Sequence, residues 1–173
     1  MPSTLTTFGY PSLDELRSSP GYPARERAEK GPVAVIECVQ EIPCNPCETA
    51  CPRGAIRVGI PITNLPALDA DKCTGCGVCI PKCPGLAIFA LDMTYSATEA
   101  ALSFPHEYLP LPRPGDVVVA VDRGGKAVCA SRVLRVSDRP ANDRTAVVTI
   151  AIPKEHADRV RGIARRSEGN DIG

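Results

Sequence analysis

Apolar residues along this chain gather in short, separated runs in which β-branched side chains dominate, the pattern of strands rather than of long amphipathic helices. Pro32 leads into V-A-V-I-E-C, which predicts a strand. Residues 55–58 predict a short helical turn entering a strand, and residues 60–68, dense in proline and turn formers, predict a loop or edge hairpin. Residues 86–91 predict a second strand, paired with the first by pseudo-symmetry. Three more strands are expected in V-V-V-A-V-D after Gly115-Asp116, in the alternating run 126–136 and in 145–152, with a turn at Asp122-Arg123-Gly124-Gly125. Three such runs joined by glycine turns suggest a small barrel-like or curled sheet. Pro153 then opens an expected helix over 154–164, with Ala157, Val160, Ile163 and Ala164 on one face.

Two stretches carry weaker patterns. Residues 1–31 hold only a few anchors (Leu5, Phe8, Tyr10, Leu13, Leu16, Tyr22), with one capped helical turn expected at S-L-D-E-L-R, residues 12–17. Such a segment cannot bury enough surface to fold alone, so an arm wrapping a partner subunit is the favoured reading over a disordered tail. It has neither an apolar signal core nor a twin arginine, so no export signal is expected. Residues 92–112 read as a connector; a helix over 97–102 is not separable from that reading on so short a period. His106, within it, is expected at the surface or as a cap.

Composition sharpens the picture where it departs from the ordinary. Tryptophan is absent and aromatics make up 4% of the chain, so the core must be small and aliphatic, while 18 prolines favour irregular chain. The formal charge is zero, which removes a global field for nucleic acid. Eight Lys and Arg stand against twelve Asp and Glu up to Pro112, and the ratio inverts from Arg113 onward. Arg159, Arg161, Arg165 and Arg166 are expected on a solvated helix face. No run reaches the roughly 18 apolar residues of a membrane span.

The chemistry lies in nine cysteines. Residues 73–84 read C-T-G-C-G-V-C-I-P-K-C-P, the spacing C-x2-C-x2-C-x3-C followed by proline that holds bacterial iron–sulfur clusters. In that run the fourth cysteine serves a different cluster from the first three, so a second cysteine set is required. It exists upstream: Cys44, Cys47 and Cys51-Pro52 repeat the last three cysteines and the proline, and C-P-R-G-A-I matches C-P-G-L-A-I. Glu41 stands where the first cysteine would fall, and Cys38 lies three residues earlier. Structural zinc and disulfides are the plainer uses of C-x2-C pairs, but neither needs this four-cysteine spacing with a proline closing both halves. Cys129 sits alone in an expected strand and reads as a core residue.

Residues 33–91 thus resemble a bacterial two-cluster [4Fe–4S] ferredoxin. The resemblance implies cluster A on Cys38, Cys44, Cys47 and Cys83, and cluster B on Cys51, Cys73, Cys76 and Cys79. For the fourth ligand of cluster A, Cys38 is favoured on ligand softness; a [3Fe–4S] cluster on three cysteines and carboxylate ligation by Glu41 are the alternatives. Ile56, Val78, Ile80, Leu86 and Ile88 are expected to keep water from the clusters.

The expected class is α+β: a ferredoxin-like two-cluster core (32–95), an N-terminal extended arm (1–31), a connector (96–112), and a small C-terminal β-barrel-like domain ending in a helix (113–173). No catalytic constellation, dinucleotide fingerprint or phosphate loop is present, which leaves single-electron relay as the expected function. The signature I-P-C-N-P-C-E-x-x-C-P is similar to that of small iron–sulfur subunits of FAD-dependent amino-acid, opine or proline-type dehydrogenases. That similarity implies a flavoprotein partner carrying FAD, a hetero-oligomer and a cytoplasmic setting, with no nucleic acid partner. An iron–sulfur redox sensor and a zinc-stapled interaction module are the alternatives.

Overall fold

The V-A-V-I run forms strand β1 (Val33–Ile36) and pairs antiparallel with β4 (Ile88–Asp92), Val33 opposite Leu91 and Ile36 opposite Ile88. The computed structural model describes residues 3–165, and this pair seeds the larger of its two sheets. Successive side chains in a strand point to opposite faces. Val33, Val35, Phe89 and Leu91 therefore enter one core, and Ala34, Ile36, Ile88 and Ala90 enter a second core shared with cysteines. Both faces are covered, which explains why these runs are apolar without alternation.

Before and between these strands stand four short helices, α1 (Thr4–Phe8), α2 (Leu13–Arg17), α3 (Arg25–Ala28) and α4 (Pro46–Ala50), and a small hairpin of β2 (Ile56–Arg57) with β3 (Ala67–Leu68). Of residues 60–68, expected as a loop or edge hairpin, 60–66 lie in the loop of this separate two-stranded hairpin and Ala67–Leu68 form its second strand.

The sheet continues through β5 (Glu99–His106), β6 (Val117–Asp122), β7 (Ala127–Ser137), β8 (Ala146–Pro153) and β9 (Val160–Ile163). Its order is β1-β4-β5-β8-β7-β6-β9, antiparallel throughout. Register shifts in β6 at Ala120/Val121 and in β7 between Val133 and Arg135 add local twist. The sheet curls until β9 packs back toward β5. Phe104, Leu102, Val133, Val148, Ile150 and Ile152 fill the space inside the curl.

Four expectations differ from this architecture. The stretch read as a connector contains β5, whose Ala100, Leu102, Phe104 and His106 are buried in strict alternation and which joins β4 to β8. Strands on either side of it therefore share one sheet. The C-terminal helix expected over 154–164 is instead a single tight turn at Lys154–His156 followed by β9, whose backbone pairs with β6. Among the basic residues placed on that helix, Arg161 is buried, Arg159 is exposed, Arg165 stacks over Tyr108 with 5.7 Å from guanidinium carbon to ring centroid, and Arg166 lies outside the described residues.

The N-terminal segment is not an extended arm. Ser12 and Glu15 close a capping box on α2, as the S-L-D-E pattern foretold, and Glu15 also accepts from Ser3 and Thr4 of the preceding helix. Those hydrogen bonds hold its carboxyl at a pKa of about 2. Leu16 is fully buried, and the carbonyls of Pro20 and Gly21 accept from the N–H groups of Leu68 and Ile36. The segment is laced to its own chain. Among the described residues no helix is long and apolar enough to cross a membrane.

Candidate metal centre

Pro46 opens α4 where its missing N–H is not needed, and this single helical turn places Cys47 inward with Cys44 before it and Cys51 at its end. The second run is a loop made possible by two glycines in left-handed conformation, Gly75 at φ +63° and Gly77 at φ +76°. At Gly75 a β-carbon would stand 2.5 Å from Pro32 Cβ, so only hydrogen lets this loop lie against the start of β1.

The two runs exchange one cysteine each. Cys73, Cys76 and Cys79 surround one small cavity together with Cys51 from the other run. Cys44, Cys47 and Cys38 surround a second small cavity together with Cys83. The near-equal sizes and crossed membership make the two cavities a pseudo-symmetric pair. The structure brings all eight cysteines to these two places, Cys38 included. Glu41 is exposed and absent from the lining of either cavity. Cys129 lies apart on β7, packed against the inner core with its sulfur 3.5 Å from Ser131 Oγ.

Burial and mutual proximity shape the chemistry of these cysteines. Burial pushes the Cys79 thiol up to about 12, and the neighbouring Cys73, Cys76 and Cys51 add to it. Burial likewise lifts Cys47 to about 11, helped by Cys83 and Cys44, and raises Cys38. Four thiolates so placed repel one another in a dry site and require cationic charge between them. Four thiols spaced around a cavity suit a polynuclear iron–sulfur centre, whose body fills the space between them.

The backbone is already turned toward the sulfurs. The N–H of Ala55 donates to Cys51 Sγ at 3.3 Å, and that of Ala87 to Cys83 Sγ at 3.4 Å, the same four-residue step in each half of the repeat. Ala34 and Gly75 donate to Cys73 at 3.3 and 3.5 Å. Such bonds stabilise negative charge on sulfur and so raise the potential of a cluster held there. Of the residues expected to exclude water, Ile56, Ile80 and Ile88 are buried beside the cysteines, Leu86 is half-buried, and Val78 departs from expectation at 44% exposure.

Several supports escaped the sequence reading. Arg27 of α3 donates to the carbonyls of Ala70 and Cys73, both at 2.7 Å, and so clamps the base of the second loop. Glu37, next to Cys38, is buried between Arg123 and Arg161. Burial raises its pKa, but hydrogen bonds and charge from the two arginines lower it further, so the net shift is downward. Arg161 also donates to the carbonyls of Ala157 and Val160 and lies 5.4 Å from the Phe89 ring centroid. No local signal could have paired Glu37 with residues more than eighty positions away. His106, expected at the surface, is 7% exposed at the end of β5, its ring edge-on between Phe104 and Tyr108.

Comparison with known proteins agrees with this chemistry. The family profile described as a 4Fe-4S binding domain matches residues 66–89. One subunit of an ion-translocating oxidoreductase complex from Methanosarcina acetivorans is 49% identical over 47 residues, 27% of this chain and 17% of that protein. Protein Pixie of Drosophila melanogaster is 29% identical over 119 residues, 58% of this chain and 19% of that protein. The ferredoxin-type protein NapF of Haemophilus influenzae is 35% identical over 62 residues, 34% of this chain and 35% of that protein. The chain therefore spans less than a fifth of the first two relatives and about a third of the other. No solved structure matches it. The chain carries a [4Fe–4S]-binding segment of the ferredoxin type.

Proposed function

We propose that this iron–sulfur chain relays single electrons between two [4Fe–4S] clusters inside a larger oxidoreductase. Cluster A is held by Cys38, Cys44, Cys47 and Cys83, and cluster B by Cys51, Cys73, Cys76 and Cys79. The crossed lining of two equal cavities is the observation that carries this reading. When bound, each such cluster takes up and releases one electron. The protein's own part is to hold the thiolates at fixed positions, exclude water with Ile56, Ile80 and Ile88, and set the potential through the N–H groups of Ala34, Ala55, Gly75 and Ala87.

The partner is a flavin-containing dehydrogenase subunit, with FAD on that subunit and this chain as its non-catalytic companion in a hetero-oligomer. The resemblance of the cysteine signature to small subunits of such enzymes is the ground for the flavin, while similarity to a protein named as a subunit of an oxidoreductase complex supports only the coarser reading of a subunit in such a complex. A reducing, cytoplasmic setting suits nine cysteines of which none is paired in a disulfide. The cluster-bearing part up to residue 95 supplies the wire, and the strands beyond it fix the wire to its enzyme.

Anoxic purification with iron and sulfide analysis and EPR of the reduced protein tests the first claim. About eight irons per chain and two interacting reduced signals are expected. A colourless, iron-free protein after reconstitution overturns it. Anoxic affinity capture from the native cell, probed for FAD, tests the second. Capture of a complex free of flavin would refute the dehydrogenase partner while leaving the relay standing.

A further inference from the structure

One sheet row links the cluster-bearing loop to a free basic surface. Ala34, Ala90, Ser103, Thr149 and Arg135 lie opposite one another in consecutive strands β1, β4, β5, β8 and β7, so their side chains share a face. The cysteine loop covers the first part of that row. Beyond it opens a groove lined by Cys76, Val78 and Lys82 of the cysteine loop and by Ser103, Arg135 and Arg139 of the strands and the turn after them.

The Lys and Arg side chains that line this groove are all its charged side chains. No Asp or Glu lines it. Lys82 is engaged by Asp143 at 2.5 Å, and Asp138 is exposed beside Arg139, but Arg135 and Arg139 have no carboxylate partner among the described residues. Both are exposed. Cys76, the one exposed cysteine of the eight, opens onto the same groove. The rim of the other cavity is different in kind: Ile42 and Ile62 are 44% exposed there.

We propose that this groove is the docking surface for a partner protein that presents carboxylates, seated so that Cys76 is its nearest approach to cluster B. The inference rests on the relay reading above for the role of the partner, and on charge complementarity for its chemistry. Nucleic acid is the poorer occupant, because the groove offers no aromatic ring on which a base could stack. Free guanidiniums on a rim mainly steer encounter and orient the partner, which suits a carrier that must come and go.

The test is binding, independent of turnover. The holoprotein is titrated calorimetrically with flavodoxin, an acidic one-electron carrier, at low and at physiological salt, with basic cytochrome c and a short oligouridylate alongside. Flavodoxin is expected to bind, to weaken with salt, and to lose about tenfold or more in affinity to the R135E/R139E double variant. Cytochrome c is expected not to bind wild type. Should the reversal variant not fold, R135Q/R139Q carries the same test with a smaller expected loss, about threefold. Flavodoxin affinity unchanged by either variant overturns the proposal, as does tighter binding of oligouridylate through the same arginines. Salt-sensitive flavodoxin binding to a protein whose clusters cannot be reduced would support the docking surface while refuting the relay.

Discussion

Glu37 receives both prongs of the Arg123 guanidinium, Nη2 at 2.6 Å and Nε at 2.7 Å, one residue before Cys38. Arg161 from β9 donates to the same carboxylate, and the three side chains are only 7%, 12% and 4% exposed. The far edge of the sheet thus fixes the approach to the first cavity. Replacing Glu37 by Gln leaves two buried guanidiniums without their counter-charge, a loss of about 3–5 kcal/mol. Urea denaturation of the holoprotein is expected to show it, with the signal of cluster A disappearing before that of cluster B. An unchanged midpoint would mean that the network is slack.

Cys38 is the fourth thiol of that cavity, and Glu41 stays outside it. Cys38→Ser is therefore expected to reduce iron from about eight to about seven or four per chain, according to whether the cluster loses one iron or all of them, with an altered EPR signal from cluster A alone. Glu41→Ala is expected to change neither quantity. The reverse pattern would assign the carboxylate as ligand.

The two left-handed glycines of the second loop should respond unequally to the same change. Gly75→Ala adds a β-carbon 2.5 Å from Pro32 Cβ and 2.8 Å from Val33 N, in addition to its unfavourable backbone. At Gly77 the nearest atom, Ile80 Cδ1, is 3.5 Å away, so only the backbone cost remains. Expected losses are roughly 3 kcal/mol or more for G75A and about 1–2 kcal/mol for G77A. Melting of reconstituted variants separates them. Equal losses would show that the close approach to Pro32 relaxes easily.

His106 should make the fold acid-sensitive. Burial lowers its pKa from the ordinary 6.5, against the opposing effect of its hydrogen bond with the Tyr108 backbone. The unfolded chain therefore takes up this proton first as pH falls. The stabilising contribution is complete above about pH 6.5 and declines below it until the folded form also protonates. His106→Phe is expected to lose less melting temperature than wild type between about pH 7.5 and 5.5. An identical drop in both would remove His106 as the cause, since cluster lability is common to the pair.

What the sequence could reveal followed the range of its signals. The cysteine spacing, the two C-P-x-x-A-I repeats and β1, β4, β6, β7 and β8 were legible because each is written in a few adjacent residues. β5 was hidden because E-A-A-L-S-F-P-H contains alanines and a proline, poor strand markers that become a strand only when β4 and β8 flank it. β9 was read as a helix because Ala157, Val160, Ile163 and Ala164 happen to fall at helical intervals. Pairing of Ala120 with Ile163 and Val121 with Gly162 overrode that coincidence. The clamps by Arg27 and Glu37 were invisible for a simpler reason, since hydrogen bonds and ion pairs across the fold leave no local trace.

β4 has a consequence for any attempt to make a smaller carrier from this protein. Ile88 and Ala90 serve the cysteines, while Phe89 and Leu91 on the same five residues belong to the curled interior built by the later strands. Trimming the chain after Asp92 would wet two large side chains and strip β4 of its neighbour β5. The smallest unit that keeps both faces of β4 dry is therefore the whole curled sheet, and miniaturisation would require redesigning those two positions as polar before any cut is made.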